Sequence, residues 1–510
     1  MSPQYVWKNT ANPTSMNTGA NVLEKHVESP SNIRNIQRLS PELLGLVLSH
    51  MDGDIATLKV CSLVCPTWAS QARRVLFREV VVRPAMPSRT WTDFFQLLSA
   101  SPEVARYIRR LMLCGHDPKG EQRQVQTGHL SEALERLPSL TELFTKNGMF
   151  ASFRRNSKGV SGTGMTALSA PERPLQLRLL SLENCEVRDF APLHQLFTHL
   201  GKVETLVLHQ IKVDVCHLDL PSPLAEILMR HQAMVGAIQP ALPPPLAVRV
   251  GTIQTDRVRA PVSSIQSLQG FYQFLRRSFS PPAAGLSVST RLVDGPGELL
   301  KMLNTFDRDV RSVSINVLLG SCDPDDIVVG TVESKYHYLP YFSFASHTSI
   351  RELVLYFTTT SVMAGRHAVD LYKRILANNW SVLSNAPTSL THIELRFQRC
   401  GLHMRYVLDD LRVLYGPGAD PGEVGWRTVD EGTLQRFPRL EAFTCVLCDE
   451  GFFANQSMPF EDAETVAQVL GSSVRRRQQE FDDYAALLQG LLPRLHERGL
   501  LRFRMSEAQG

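Results

Sequence analysis

The sequence predicts an α/β chain: a short three-helix module, then an irregular array of leucine-rich strands separated by helices and loops, then a helical C-terminal cap. Three observations predict it. Residues 39–82 compress three helical stripes and a closing apolar strand into one short segment. Beyond them, runs with apolar residues at alternate positions recur along the chain. Near the end, 461–470 and 480–495 read as amphipathic helices that would cover the last apolar face. At 510 residues the chain exceeds one hydrophobic core. It divides into a leader expected to be flexible (1–35), the helical module (36–82), the strand array (83–459) and the cap (460–510).

The first helix opens at Ser40-Pro41-Glu42. A serine hydroxyl can accept from a free backbone N–H, proline suits the first helical position, and a glutamate favours the positive end of the helix. Leu43, Leu44, Val47, Leu48 and Met51 form a broad apolar stripe, and Leu39 stands where a hydrophobic staple would reach Leu44. Asp52-Gly53-Asp54 ends the helix. A second stripe runs through Leu58, Cys61, Val64 and Cys65, and a third begins at Pro66 with Trp68, Ala72, Val75 and Leu76. Each helix is too short to be stable alone, so the three must bury faces against one another.

This segment resembles the F-box, in the form common among large fungal families of F-box-like proteins. The resemblance rests on Leu39-Ser40-Pro41-Glu42-Leu43-Leu44, Val47-Leu48, Leu58, Cys61-Ser62-Leu63-Val64-Cys65, Trp68 and Leu76-Phe77. It departs at Pro66, where a basic residue is usual; proline is tolerated in a first turn and sharpens the break between the second and third helices. The resemblance implies a non-catalytic docking module for the Skp adaptor of a cullin-RING ubiquitin ligase, with the rest of the chain selecting a protein substrate. Carried over, the adaptor contact falls on Leu39, Pro41, Leu43, Leu44, Val47 and Leu48, with Val64 and Trp68 contributing or supporting. Without the resemblance, the same residues read as the core of a small helical domain. A repeat scaffold carrying such a module without a ligase role is the alternative.

After a strand at 77–82 and a helix at 91–99, leucine-rich strands are expected at 108–114, 137–143, 177–185, 203–208, 310–315, 350–355, 390–395 and 440–445. Their alternation turns apolar residues inward and leaves Arg178, Glu183, Glu352 and Glu394 facing out. The cadence resembles leucine-rich repeats, whose stacked strands build an extended face fit for a substrate receptor. The spacing is irregular and mostly longer than the roughly 20 to 29 residues of standard repeats, so a degenerate solenoid with long insertions is expected. Asn184-Cys185 is the one near match to the turn of that motif. An ordinary parallel α/β sheet predicts the same alternation. Segments 154–173, 239–246 and 278–285, rich in Gly, Ser, Thr or Pro, read as insertions.

Composition narrows the function classes. Hydrophobic residues make up 43% and charged residues 20%, enough for substantial cores. The 54 basic and 50 acidic residues leave a net charge of +4, too small to steer nucleic acid or a membrane surface. Arg475-Arg476-Arg477 and Arg154-Arg155 lack the aromatic interleaving of a single-strand binder. Nine scattered cysteines do not make a disulfide scaffold and suit a reducing compartment, so cytoplasm or nucleus is expected. No apolar run reaches the length of a membrane span. No cofactor or metal is expected: Cys445 and Cys448 lie in a strand with no second pair, Asp323-Pro324-Asp325-Asp326 lacks the spacing of a calcium loop, and 159–164 is glycine-rich but follows no strand.

Overall fold

The computed structural model describes residues 39–83, 90–115, 123–124, 127–151, 174–214, 246–259, 265–291, 297–316, 343–359, 366–399, 425–449 and 463–507. The expected leader, the insertion at 154–173 with its glycine run, almost all of 239–246 and the acidic turn at 323–326 lie outside them.

Three helices come first: α1 (Pro41–Ser49), α2 (Ile55–Cys61) and α3 (Pro66–Leu76). The first two each pack on α3. Leu44, Leu48, Leu58, Cys61 and Ala72 form a small core of their own, with Met51, Trp68, Val75 and Leu76 against it.

The rest is mixed α/β, and every described strand pair is parallel. In chain order the strands are β1 (Glu79–Val82), β2 (Arg110–Cys114), β3 (Arg123–Gln124), β4 (Glu142–Lys146), β5 (Gly148–Phe150) and β6 (Leu175–Glu183). They continue as β7 (Glu186–Val187), β8 (Leu200–His209), β9 (Lys212–Val213), β10 (Val248–Asp256), β11 (Phe279–Ser280) and β12 (Leu286–Arg291). The last are β13 (Val310–Asn316), β14 (Glu352–Thr359), β15 (His392–Arg399), β16 (Ala442–Asp449) and β17 (Leu501–Glu507). The main sheet runs β1-β2-β4-β6-β8-β10-β12-β13-β14-β15-β16-β17, so spatial order follows chain order throughout. A small second sheet, β3-β5-β7-β9, gathers the short strands that follow the first long ones.

Sheets whose neighbours are always the next in sequence, joined by crossovers of one hand, carry their helices on one face. Burial agrees. Leu111, Leu143, Leu180, Leu206, Ile253, Val288, Val313, Leu353, Ile393 and Phe443 are buried in one continuous core with residues of the connecting helices, such as Leu134, Leu196, Phe274, Met302 and Leu383. Most of the alternate residues are only partly buried, and Arg, Lys, Glu, Ser and Thr among them give the sheet a second, largely polar face, in which Glu142, Ser181 and Val446 are buried.

Local geometry recurs from strand to strand. Arg109 and Arg110 both donate their N–H to the Arg78 carbonyl, Thr141 and Glu142 to that of Arg109, Thr391 and His392 to that of Arg351, and Glu441 and Ala442 to that of Thr391. Arg109, Arg311 and Arg351 reach forward with a guanidinium to the carbonyls of Ser139, Ser349 and Ser389 respectively, just ahead of the next strand. Four strands leave through a left-handed residue: Asn147, Asn184, Gln210 and Arg257 have φ of 54°, 50°, 53° and 57°. The Asn184 amide donates to the Asn147 side chain at 2.7 Å, joining two of these exits.

Several expectations change. The C-terminus does not end in a helical cap: one long helix, Ala463–Leu491, and a short one, Pro493–Glu497, lead into β17, which is the edge of the main sheet. Alternation of Leu501, Phe503 and Met505, all packed on the core, explains why that strand docks. Strands β10 and β12 also lie where no leucine-rich run was expected, because their outward positions carry Thr, Ser and Gln between fewer apolar residues. Gly251 in β10 is required by a close approach, since a Cβ there would lie 2.9 Å from the Glu204 carbonyl oxygen. Segment 278–285 is not an insertion but the tight link from a helix (Ile265–Ser278) through β11 into β12.

Candidate interaction surfaces

In the helical module the Ser40 hydroxyl accepts the Leu43 N–H at 3.3 Å, with Pro41 in the first helical turn. The Glu42 carboxyl is held below its usual range by its own backbone N–H and by the Ser40 hydroxyl. Asp54 starts α2 by accepting from the Thr57 N–H (3.0 Å) and hydroxyl (2.6 Å). Pro66 opens α3 behind Cys65, whose side chain makes no cap. These caps fix how the helices present their remaining faces.

What they present is apolar. Among the described residues, the large hydrophobic side chains that are exposed are Leu39, Leu43, Leu46, Val47, Val60, Leu63 and Val64, and all seven belong to this module. Leu43 is 52% and Leu63 84% exposed. Of the expected contact residues, Leu39, Leu43, Val47 and Val64 are exposed, as is Pro41, and Trp68 is half-buried against the small core. Leu44 and Leu48, also among the expected contact residues, are at 1% and 0% exposure members of the small core beneath that surface. Leu46, Val60 and Leu63 are exposed beside them but are not among the expected contact residues. The signal lay in α1 itself, where five of the six residues Leu43 to Leu48 are large and apolar, more than one buried face can use.

The polar face of the main sheet is the second surface. Arg178, Glu183, Glu352 and Glu394 all lie at least partly exposed, as their alternation requires. Register aligns Glu79, Arg110 and Glu142 across three strands. Arg110 donates to Glu79 (3.1 Å) and Glu142 (2.7 Å), and Arg178 also donates to Glu142. Lys146 pairs with Glu183 at 2.7 Å and His209 with Asp256 at 2.9 Å. In the centre the same face carries Thr252, Ser287, Ser289, Ser312 and Ser314, half-buried. Toward the C-terminus, Arg396 donates to Glu394 and to the Tyr356 hydroxyl (3.0 Å), and Arg504 donates to Glu394 (3.0 Å).

The titratable groups do not assemble a reaction centre from the described residues. Burial pushes the Cys185 thiol up to about 12 and raises Cys445 and Cys114 as well, the opposite of what an activated thiolate needs. Cys445 is buried and Cys448 only partly so, with no metal-holding group of His, Cys, Asp or Glu among the described residues. Among the described residues, Glu298 is the one carboxyl moved near neutrality: burial pushes it to about 7, while it accepts from the Tyr272 hydroxyl and the Val258 N–H, both at 3.2 Å. It lies in the first turn of the helix Gly297–Phe306. Among the described residues no helix is long and apolar enough to cross a membrane. No family model matches this chain, and no curated protein is significantly similar to it.

Proposed function

We propose that this chain is a non-catalytic substrate-recognition subunit of a Skp-cullin-F-box ubiquitin ligase. In this reading the helical module is an F-box that docks the Skp adaptor, and through it the cullin. The sheet is a degenerate leucine-rich-repeat solenoid whose polar face receives a protein substrate. The observation that carries the reading is that, among the described residues, the exposed large hydrophobics are confined to residues 39–64. A module that buries a small core and still exposes seven such side chains has the composition of half an interface. The recurring strand entries, left-handed exits and arginine contacts support the repeat reading, because an ordinary parallel sheet is covered on both faces.

The test is co-purification of the full chain with the Skp adaptor, comparing wild type with Leu43→Asp plus Val47→Asp. Both side chains are exposed, so the double variant is expected to keep its fold, checked by circular dichroism. A charge set into a docked apolar stripe loses water without gaining a partner, at a cost of several kcal/mol, about the difference between a micromolar complex and none. Loss of capture by the folded variant is expected; undiminished capture overturns the reading. If the wild type itself does not capture the adaptor, the alternative of a scaffold without a ligase role stands.

A further inference from the structure

Charge is distributed unequally along the polar face of the sheet. At its N-terminal end Arg110, Arg178 and Lys146 meet three carboxylates, Glu79, Glu142 and Glu183. At its C-terminal end register brings Glu394, Thr444 and Arg502 into one cross-strand row and Tyr356, Arg396, Val446 and Arg504 into the next. There Glu394 alone is divided between Arg396 and Arg504. Arg502, on the edge strand, is exposed, and the neighbouring Glu441 lies against His392 at 3.9 Å. Among the described residues, three guanidinium groups thus stand at this end of the face beside Glu394, which Arg396 and Arg504 share, with Glu352 one row away and Glu441 at the border.

Two of the three are held in position. Arg396 is clamped between Glu394 and the Tyr356 hydroxyl and lies 5.4 Å from the centre of the Tyr356 ring, and Arg504 is anchored on Glu394. Pre-set guanidinium forks lose little freedom when they take a further anionic acceptor. Arg396 and Arg504 stand two strands apart, about 10 Å, and Arg502 and Arg504 two residues apart, about 7 Å. Those spacings match acidic residues three and two apart on an extended chain.

We infer that this end of the face binds an acidic, Asp/Glu-bearing polypeptide segment through Arg396, Arg502 and Arg504. The inference rests on reading the strand face as the receptor surface, and names the chemistry of the segment it takes. Carboxylates are favoured over single-stranded nucleic acid because, among the described residues, the aromatic ring on this end of the face, Tyr356, is already covered by Arg396 and offers no free stacking platform.

The test is fluorescence anisotropy of the full chain with a labelled peptide alternating glutamate and serine. Arg502→Ser plus Arg504→Ser is expected to weaken binding by about tenfold or more. Glu394→Gln removes the competing carboxylate and is expected to tighten it several-fold, a direction that mere loss of structure would not give. Arg110→Gln, at the balanced end, should leave binding unchanged. Equal affinity in the wild type and the double arginine variant, or weaker binding by Glu394→Gln, overturns the proposal. So does binding of only the phosphoserine version of the peptide, or stronger binding of a single-stranded RNA homopolymer. Adaptor capture, measured in parallel, is expected to be the same for all these variants, so failure of the adaptor reading and failure of this one are separately visible.

Discussion

The helical module and the sheet spend their apolar residues in opposite ways. In the sheet domain most large hydrophobics of the described strands and helices join one core, and the other face carries hydroxyls and paired charges interleaved with half-buried apolar side chains such as Met112, Phe144 and Leu179. In the module a core of five buried side chains, Leu44, Leu48, Leu58, Cys61 and Ala72, is surrounded by seven exposed hydrophobic ones. A surface of paired charges is content in water and chooses partners by position; an exposed apolar surface gains by being covered. The first suits a face that discriminates between partners, the second a constitutive dock.

The contrast is sharpest between neighbours on α1. Leu48→Ala should destabilise the module by about 3 kcal/mol, since it empties a position in a core with few others to compensate. Leu43→Ala, five residues earlier and half exposed, should change stability by less than about 0.5 kcal/mol. Limited proteolysis of the full chain, followed at the links between α1, α2 and α3, measures both. Equal effects would erase the distinction between support and surface.

Inside the sheet domain the largest expected effect of pH comes from Glu298. Its carboxyl titrates near 4.5 when exposed and about 7 in the folded chain, because burial disfavours its charge. The folded state therefore holds a proton that the unfolded state has released between those values. That contribution to stability is complete below about 4.5 and is lost as pH rises through about 7, a change of up to about 3 kcal/mol. Glu298→Gln stays neutral and can still accept from the Val258 N–H, so its melting temperature should lose this slope and exceed that of wild type most clearly above pH 7. An unchanged slope would place the titration elsewhere.

Glu142 probes the paired charges of the open face. It is nearly buried and takes both Arg110 and Arg178, so Glu142→Ala should cost about 2 kcal/mol in thermal unfolding. An effect near zero would reduce the network to solvated neighbours.

Much of this organisation was legible in the chain. The cap at Ser40, the helix start at Pro66 and the strands at Leu111, Leu143, Leu206, Leu353 and Ile393 follow from local pattern, because each needs only side chains within a few residues. What could not be read was which face of α1 meets α3, since Leu43 and Leu44 are alike in sequence and only packing separates them. Strand β17 was hidden for a related reason: its alternation is clear, but only the vacant edge of β16 makes it part of the sheet. The charge excess at Arg396, Arg502 and Arg504 spans residues more than a hundred positions apart and exists only through register.

The smallest expected effect concerns the strand exits, where the fold imposes one conformation on unequal residues. Asn147 and Asn184 tolerate a left-handed backbone, but Gln210 at φ 53° does so at a cost that its side chain does not relieve. Its N–H still reaches the Asp256 carbonyl at 2.7 Å, so the ladder between β8 and β10 holds it there. Gln210→Gly should raise stability by about 1 kcal/mol in denaturant unfolding, and Gln210→Asn by less. Gln210→Val, β-branched, should lower it. If glycine instead destabilises, the exit is fixed by the glutamine side chain rather than by the strand ladder, and the recurrence from Asn147 to Arg257 would reflect separate local causes.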